Sequence, residues 1–396
     1  MSHTGIETDV PAVRQGGATN AAIVAAVEIG GAALLGAFLL SDKTAIIVAL
    51  LAGMGAIFAV LQLRPRVEER IVAAFRDQRR LSMALGAVIV LTYPFFMNGS
   101  SYVLHLLIVA QLYAVLALAL NFQLGSANIP NFATGASYGI GAYTSALLAI
   151  NFGISFWWTL PASAVVATVF GFLLGFPSMR TKDSYLALVT IAFAIVVHQL
   201  LNNFAWTGGA NGLVGIPAPT LFGHSFAQPI VIFGWRLPSQ ANFYYLAAAL
   251  VCLSIVAAKR LHESRVGLAW NALRADPLAA RCQGIDIVRY KMLAFGVDAF
   301  LAAFAGTIYA FYVSYISPDN FTFLVSVTIM TMVIVGGMDN TLGVIIGAFL
   351  LTMLPEKLRI FSDYRLLFVG VIVILFLILR PQGLFPQRAR NYGAHQ

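Results

Sequence analysis

Charge is what this sequence has least of. Asp, Glu, Lys and Arg together make up 10% of 396 residues, while apolar types make up 60%. A soluble domain carries roughly a quarter charged residues, so the shortfall excludes an ordinary water-soluble fold, which would have to expose this apolar sequence to water. Cysteine is almost absent too. Cys252 falls in an apolar run and Cys282 in a charged loop, so the two are expected at different depths, unpaired and without metal-ligand company. Catalytic signatures are missing as well: there is no Gly-x-x-x-x-Gly-Lys-Ser/Thr phosphate loop, no His-Glu-x-x-His helix and no Gly-x-Ser-x-Gly elbow. The chain is therefore expected not to be an enzyme, not to hydrolyse ATP itself, and to use no metal or cofactor of its own. Its net charge of +8 has no separate basic domain to carry it, which argues against nucleic-acid binding. The first twenty residues hold one basic residue, Arg14, and no short apolar segment with a cleavage site, so residues 21–40 read as a retained span.

What the chain does have is long apolar runs. Their solvent is the lipid bilayer, where the backbone can satisfy its hydrogen bonds only in helices or closed barrels. Barrel strands alternate apolar and polar residues, whereas these runs are continuous and about twenty residues long, the length a crossing helix needs. The expected fold class is all-α, a polytopic transmembrane helical bundle of about 10–12 hydrophobic segments. They lie at residues 21–40, 44–61, 81–97, 103–124, 133–150, 157–176, 186–206, 243–258, 292–313, 321–335, 342–355 and 364–379. The stretches around residues 128–143 and 335–347 are short or rich in Gly and polar residues, and are expected as broken or re-entrant helices buried in protein.

Basic residues gather in four places: Arg64 to Arg80, Arg180 with Lys182, the run from Lys259 to Lys291, and the tail with Arg380, Arg388 and Arg390. Twelve crossings put all four on the side of both termini, which the positive-inside rule makes the cytoplasm. Residues 207–242 then lie outside, with Arg236 their only Lys or Arg, and Trp157, Trp158, Trp206 and Trp235 anchor the outer interface. Lys357, Arg359 and Arg365 are the exception, since they also fall outside.

The largest basic loop, residues 259–291, is long for a mere connection. Asp276 followed by Pro277 is a helix start: the carboxylate caps free amides, and proline suits the first helical position. Gly284 is placed to stop that helix. The spacing predicts a helix of about two turns over 277–283, preceded by a longer one from about 266 to 273. Ala279 and Ala280 keep its surface thin enough for another protein to approach closely. By itself the pattern also suits a plain amphipathic helix at the membrane interface.

The stretch Leu278-Ala279-Ala280-Arg281-Cys282-Gln283-Gly284 resembles the Glu-Ala-Ala-x-x-x-Gly loop of ABC importer permeases, with Leu278 in place of the glutamate and the later Leu-Pro absent. Further segments occur in one order: Asp183-Ser-Tyr-Leu-Ala-Leu-Val-Thr190, Leu201-Asn-Asn203, Thr207-Gly-Gly-Ala-Asn-Gly-Leu213 with Ile216-Pro217, Val335-Gly-Gly-Met338 and Arg380-Pro-Gln-Gly-Leu384. Together they resemble the branched-chain amino acid permease family, in its M-type subunit, from about residue 114 to 385. Thr134 stands where much of the family has histidine, and Ala275 where a glutamate often precedes the Asp; the first change weakens any named substrate.

The resemblance implies a domain plan: an N-terminal extension with extra transmembrane segments at 1–100, a permease domain at 101–385 and a polar cytoplasmic tail at 386–396. It also implies a bacterial inner-membrane importer for branched-chain or related amino acids. Its partners would be a second homologous permease, two cytoplasmic ATPase subunits that bind the ATP, and an external solute-binding protein. Arg265, Gly267, Arg274, Asp276, Pro277, Ala279, Ala280 and Gly284 would form the ATPase-coupling loop. Asn131, Thr134, Asn202, Asn203, Gly208, Gly209, Asn211, Gly336 and Gly337 are candidates for the substrate pathway or the external face.

For Asn202, Asn203 and Asn211 a capped helix end with a flexible loop is a slightly better reading than direct contact with substrate. Glu28, His105, His198 and Asp298 lie within apolar segments, where ionisable groups are expensive. A proton- or ion-coupled secondary transporter would use such groups as relays, which makes it the rival reading, although it leaves the coupling loop unexplained.

Overall fold

The computed structural model describes residues 17–41, 49–50, 53, 65–96, 100–178, 183–221, 223–232, 235–357, 365–380 and 382–385. The expected segment at 44–61, the basic pair Arg180 and Lys182, and the tail at 386–396 lie outside these residues, apart from 49, 50 and 53. The chain divides into two compact units, Met1–Asn98 and Gly99–Gln396.

The first unit contains α1 (Gly17–Leu40), α2 (Pro65–Asp77) and α3 (Arg79–Phe96). Pro65 opens α2 at the first helical position, where its missing N–H leaves nothing unpaired. Beyond Asn20, α1 is apolar except for Glu28, and this carboxylate accepts a 2.6 Å hydrogen bond from the Ser82 hydroxyl of α3. Asn20 of α1 donates to Asp77 at the end of α2 at 3.0 Å.

The second unit is the larger bundle. α4 (Ser101–Asn121) continues into a π-helical turn, Phe122–Ser126, and is followed by α5 (Thr134–Phe152), α6 (Phe156–Ser178) and α7 (Asp183–Asn203). After α8 (Gln240–Glu263) come two short helices, α9 (Arg265–Ala275) and α10 (Pro277–Cys282). α11 (Ile287–Val313), α12 (Phe323–Gly336), α13 (Thr341–Lys357) and α14 (Arg365–Leu379) complete it. Among the described residues, seven helices are long and apolar enough to cross a membrane: α1, α4, α6, α7, α8, α11 and α12, the last with its lead-in turn Pro318–Phe321.

α4 is apolar on every face and buried along almost its whole length, which places it at the centre of the bundle. α11 packs on α5 and α6 through small residues. A Cβ on Gly141 would strike Ala303, one on Gly306 the Tyr138 carbonyl, and one on Gly171 Ala299 and the Phe295 carbonyl. In lipid, where apolar burial gives no drive for helices to associate, such close backbone approach supplies the packing.

Side-chain contacts fix the direction of each helix. Trp270 of α9 bonds Tyr290 near the start of α11, while His105 near the start of α4 bonds Tyr312 at the end of α11. One end of this unit therefore carries α9, α10, the Phe122–Ser126 turn and the α12–α13 junction; we call it the loop end. Residues 382–385 return to it, with Leu384 N–H donating to Val335 O and Phe385 N–H to Gly336 O. The opposite end carries the start of α6, the end of α7 and residues 204–239. There the long loop forms antiparallel ribbons: β1 (Leu213–Val214) with β6 (Tyr315–Ile316), β2 (Thr220–Leu221) with β3 (His224–Ser225), and β4 (Ile230–Ile232) with β5 (Trp235–Leu237). Lys357, at the opposite end, is buried in protein rather than carried on an open loop.

Both expected helix breaks are present. Residues 127–133 are non-helical between the π turn and α5, and residues 337–340 separate α12 from α13. The expected gap between the segments at 292–313 and 321–335 is present as well, filled by β6 and the turn Pro318–Phe321, which leave α12 with 14 residues.

Candidate functional site

At the loop end, three helix starts follow one another, each capped by a side chain. Ser264 accepts from Gly267 N–H, Asp276 from Leu278 and Ala279 N–H at 2.8 and 3.2 Å, and Asp286 from Val288 and Arg289 N–H at 3.1 and 3.2 Å. Gly267 is needed where α8 turns into α9, because a Cβ there would overlap the Leu261 and His262 carbonyls. α10 begins with Pro277 and ends where Gly284 takes φ +80°. Gly284 N–H bonds Arg281 O at 3.0 Å and Ile285 N–H bonds Ala280 O at 3.1 Å, the paired closure of a helix by a left-handed residue. The predicted helix thus stops one residue earlier than expected, at Cys282.

α10 keeps Ala280 inward and turns the rest outward. Leu278 is 72% exposed, and Asp276, Pro277, Ala279, Arg281 and Gly284 are exposed beside it, as is Arg265 at the start of α9. A bare leucine on a six-residue helix at the tip of a charged loop is an apolar knob with a polar rim. Behind it α9 is anchored firmly. Trp270 is fully buried, its indole N–H donates to Tyr290 O at 2.9 Å, and its ring lies 6.1 Å from that of Phe122. Arg274 donates to Gly125 O and stands 3.7 Å from the Asp339 carboxylate. Beside this anchor a cavity of about 550 Å³ opens between α8, α9 and the start of α13, lined in part by Lys259, His262, Leu268 and Thr341.

Gly336 and Gly337 belong to this end. A Cβ on Gly336 would strike Gly343, and Gly337, at φ +109°, lies against the Phe385 backbone.

Asn131 and Thr134 sit elsewhere, inside the bundle, in the break before α5. Asp298 meets them from α11, about 16 Å along that helix from its start at 1.5 Å per residue. Asn131 Nδ2 donates to Asp298 at 2.8 Å and Thr134 Oγ1 at 3.0 Å, all three side chains being buried. The neighbouring amides are satisfied too: Phe132 N–H by Thr190 Oγ1, Ala133 N–H by Asn131 Oδ1, and Gly135 N–H by Ser326 Oγ. Irregular backbone inside a membrane protein persists only where protein groups satisfy it. Here Thr190 of α7, Ser326 of α12 and Asn131 itself do so, while the Asp298 carboxylate of α11 holds the Asn131 and Thr134 side chains and faces the positive end of the α5 dipole.

Asn202, Asn203, Gly208, Gly209 and Asn211 form a third group, at the opposite end. Asn203 donates back to Gln199 O at 2.7 Å, Asn211 O accepts from Tyr315, and Gly208 at φ +79° closes one 3-10 turn while Gly209 at φ +56° opens the next. Here the Asn203 side chain caps the end of α7 and the glycines turn the chain. The candidate residues therefore occupy three separate places. Sequence reasoning did not single out Asp339, Ser126, His262 or Trp270, and it noted Asp298 without its partners. For Asp339 the available signal was a charged residue two positions after a glycine pair in an apolar stretch.

A family profile described as the permease component of branched-chain amino acid transport systems matches residues 102–377. The high-affinity branched-chain amino acid transport system permease protein LivM of Salmonella typhimurium is 39% identical over 322 residues, 78% of this chain and 75% of the relative. LivM of Escherichia coli K12 is 38% identical over the same coverage. LivH of Escherichia coli K12 is 25% identical over 69% of this chain and 90% of its own length. No solved structure matches the chain. With the profile covering most of the helical bundle just described, and relatives above 30% identity aligned over most of both chains, the protein belongs to the permease components of branched-chain amino acid transport systems.

Proposed function

We propose that this chain is one permease subunit of an ATP-driven importer of branched-chain amino acids, sharing its pathway with a second, homologous permease. The observation that carries the reading is α10: a short, doubly capped helix, exposed at Leu278, fixed by Trp270 and Arg274 to the membrane helices behind it. Such a part serves to receive a push from another protein. Two ATPase subunits that bind the ATP would dock there, and an external solute-binding protein would meet the opposite face around Gly208 to Ile216. The loop end then lies in the cytoplasm of a bacterial inner membrane, with both termini on that side. The match to both LivM and LivH relatives supports a second permease of the same family. Closure of the ATPases on ATP would move α9 and α10 and bias the bundle between its two orientations. These need differ by only a few kcal/mol for nucleotide to shift the population.

The test is a mild detergent purification of the tagged chain from its native host, with co-purifying proteins identified by mass spectrometry. Two ATPase subunits and a second permease are expected. In the same host Gly284→Arg is expected to remain in the membrane fraction and to abolish ATP-driven leucine uptake, because it strains a φ +80° position and puts a bulky cation on the docking surface. A chain that purifies alone, with tagged ATPases failing to retrieve it and leucine uptake intact in Gly284→Arg, would turn the reading toward an ATP-independent carrier. The ionisable groups such a carrier would use each have their own neighbours: Glu28 has Ser82, His105 has Tyr312, His198 has Asp319, and Asp298 has Asn131 and Thr134.

A further inference from the structure

Four elements of the loop end converge on one buried carboxylate. Asp339, in the junction between α12 and α13, has a side chain with no exposed surface. Ser126, from the π turn after α4, donates to its Oδ1 at 2.7 Å. His262, at the end of α8, places Nδ1 3.6 Å from the same oxygen. Arg274, from α9, reaches Oδ2 at 3.7 Å. The backbone is held as well: Asp339 N–H donates to Asn121 Oδ1 at 2.8 Å, and the residue takes φ +65°, a left-handed conformation that Asp tolerates better than most side chains.

These contacts do two different things. Ser126 and Asn121 seat Asp339 against α4, and both belong to the membrane bundle. Arg274 comes from α9, the element that carries the exposed α10. It also donates to Gly125 O, so its guanidinium bridges the π turn and the junction at once. The other anchor of α9, Trp270, leads to Tyr290 at the start of α11 and, through its ring, to Phe122 of the π turn. Arg274 to Asp339 is therefore a charged link from α9 to the point where α12 stops and α13 starts, and it stands beside the His262 contact from the end of α8. Asp339 is fully buried while Arg274 is partly exposed, and pulling the guanidinium away would leave the buried carboxylate without that compensation.

We propose that Asp339 is the receiver of the coupling loop: the Arg274–Asp339 pair fixes α9 to the α12–α13 junction, so that displacement of α10 moves those helices rather than bending the loop. Both residues are positioning residues, and the proposal rests on the importer reading above. It assigns to a charged pair the step between ATPase motion and helix motion, which the exposed surface of α10 leaves open.

The test uses the complete importer, both permeases with the ATPase subunits, reconstituted in liposomes with its solute-binding protein and radiolabelled leucine, and reads uptake and ATP hydrolysis together. Arg274→Gln leaves Asp339 seated by Ser126 and Asn121. It is expected to keep the ATPase subunits bound and hydrolysing while uptake per ATP falls at least tenfold. Asp339→Asn is expected to do the same, and the double variant to be no worse than the weaker single one, since both remove one link. Arg274→Lys, which keeps the charge, is expected to recover at least a third of the uptake per ATP. Wild-type uptake per ATP in Arg274→Gln overturns the proposal, as do defects that multiply in the double variant. Loss of bound ATPase in Arg274→Gln also overturns it, by making the residue a docking contact. So does aggregation of both single variants on size-exclusion chromatography, which would make the pair a folding contact only. A wild-type complex without ATP-driven uptake is a separate outcome and strikes the importer reading itself.

Discussion

Asp298 illustrates what a single residue contributes here. An ionised carboxylate inside a membrane bundle is costly unless it is paired or hydrogen-bonded, and this one collects Asn131 and Thr134 at the start of α5. Its partners are equally dependent on it, because their donors are buried with it. Asp298→Ala would leave those donors without their acceptor. It is expected to destabilise the detergent-solubilised protein by about 1–3 kcal/mol, seen as a lowered midpoint of thermal unfolding. Asp298→Asn, which retains one acceptor oxygen, is expected to lose less. An unchanged midpoint in the alanine variant would mean that water reaches Asn131 and Thr134, contrary to their burial. The residue stood out in the sequence as a charge in an apolar run, but its partners lie more than 160 positions away, and no local pattern brings them together.

At the scale of elements, glycines differ in what they do, and their environments separate the cases. Gly306 faces the Tyr138 carbonyl across the α5–α11 contact, so even one methyl forces the helices apart. Gly306→Ala is expected to destabilise by about 1–3 kcal/mol, read by thermal unfolding. Gly370 of α14 has open space around it, and Gly370→Ala is expected to change stability by less than about 0.5 kcal/mol. Equal effects at the two sites would contradict the packing described. The breaks follow a related logic. The Gly and polar residues around 128–143 and 335–347 announced that the helices would be interrupted, and they are. The gap before α12 was legible as the space between two apolar segments, but its pairing was not, because Tyr315 and Ile316 pair with Leu213 and Val214 a hundred positions earlier.

For the whole molecule, sidedness is the property on which the functional reading depends. The two native cysteines report it without further engineering, since both are free and exposed but differ in depth. Cys282 lies on α10 at the loop end, and Cys252 lies about 17 Å from either end of α8, where its exposed surface faces lipid. A charged, membrane-impermeant maleimide is expected to label Cys282 in inside-out vesicles stripped of peripheral proteins and to leave it unlabelled in intact spheroplasts. Cys252→Ser should not alter that pattern. Labelling of Cys282 in spheroplasts would place the loop end outside and exclude ATPase docking there.

The sequence by itself determined the helical bundle in lipid, since composition and run length leave no other way to satisfy the backbone. It also determined the local chemistry of α10, because Asp276, Pro277 and Gly284 act on their immediate neighbours. Tertiary structure alone decided which candidates belong together. Gly336 and Gly337 joined the loop end, Asn131 and Thr134 joined Asp298 inside the bundle, and Asn202, Asn203 and Asn211 stayed at the opposite end. It also gave Asp339 its partners, because a buried carboxylate is compensated by whichever donors the packed helices bring within reach, and that depends on the register and direction of four separate elements.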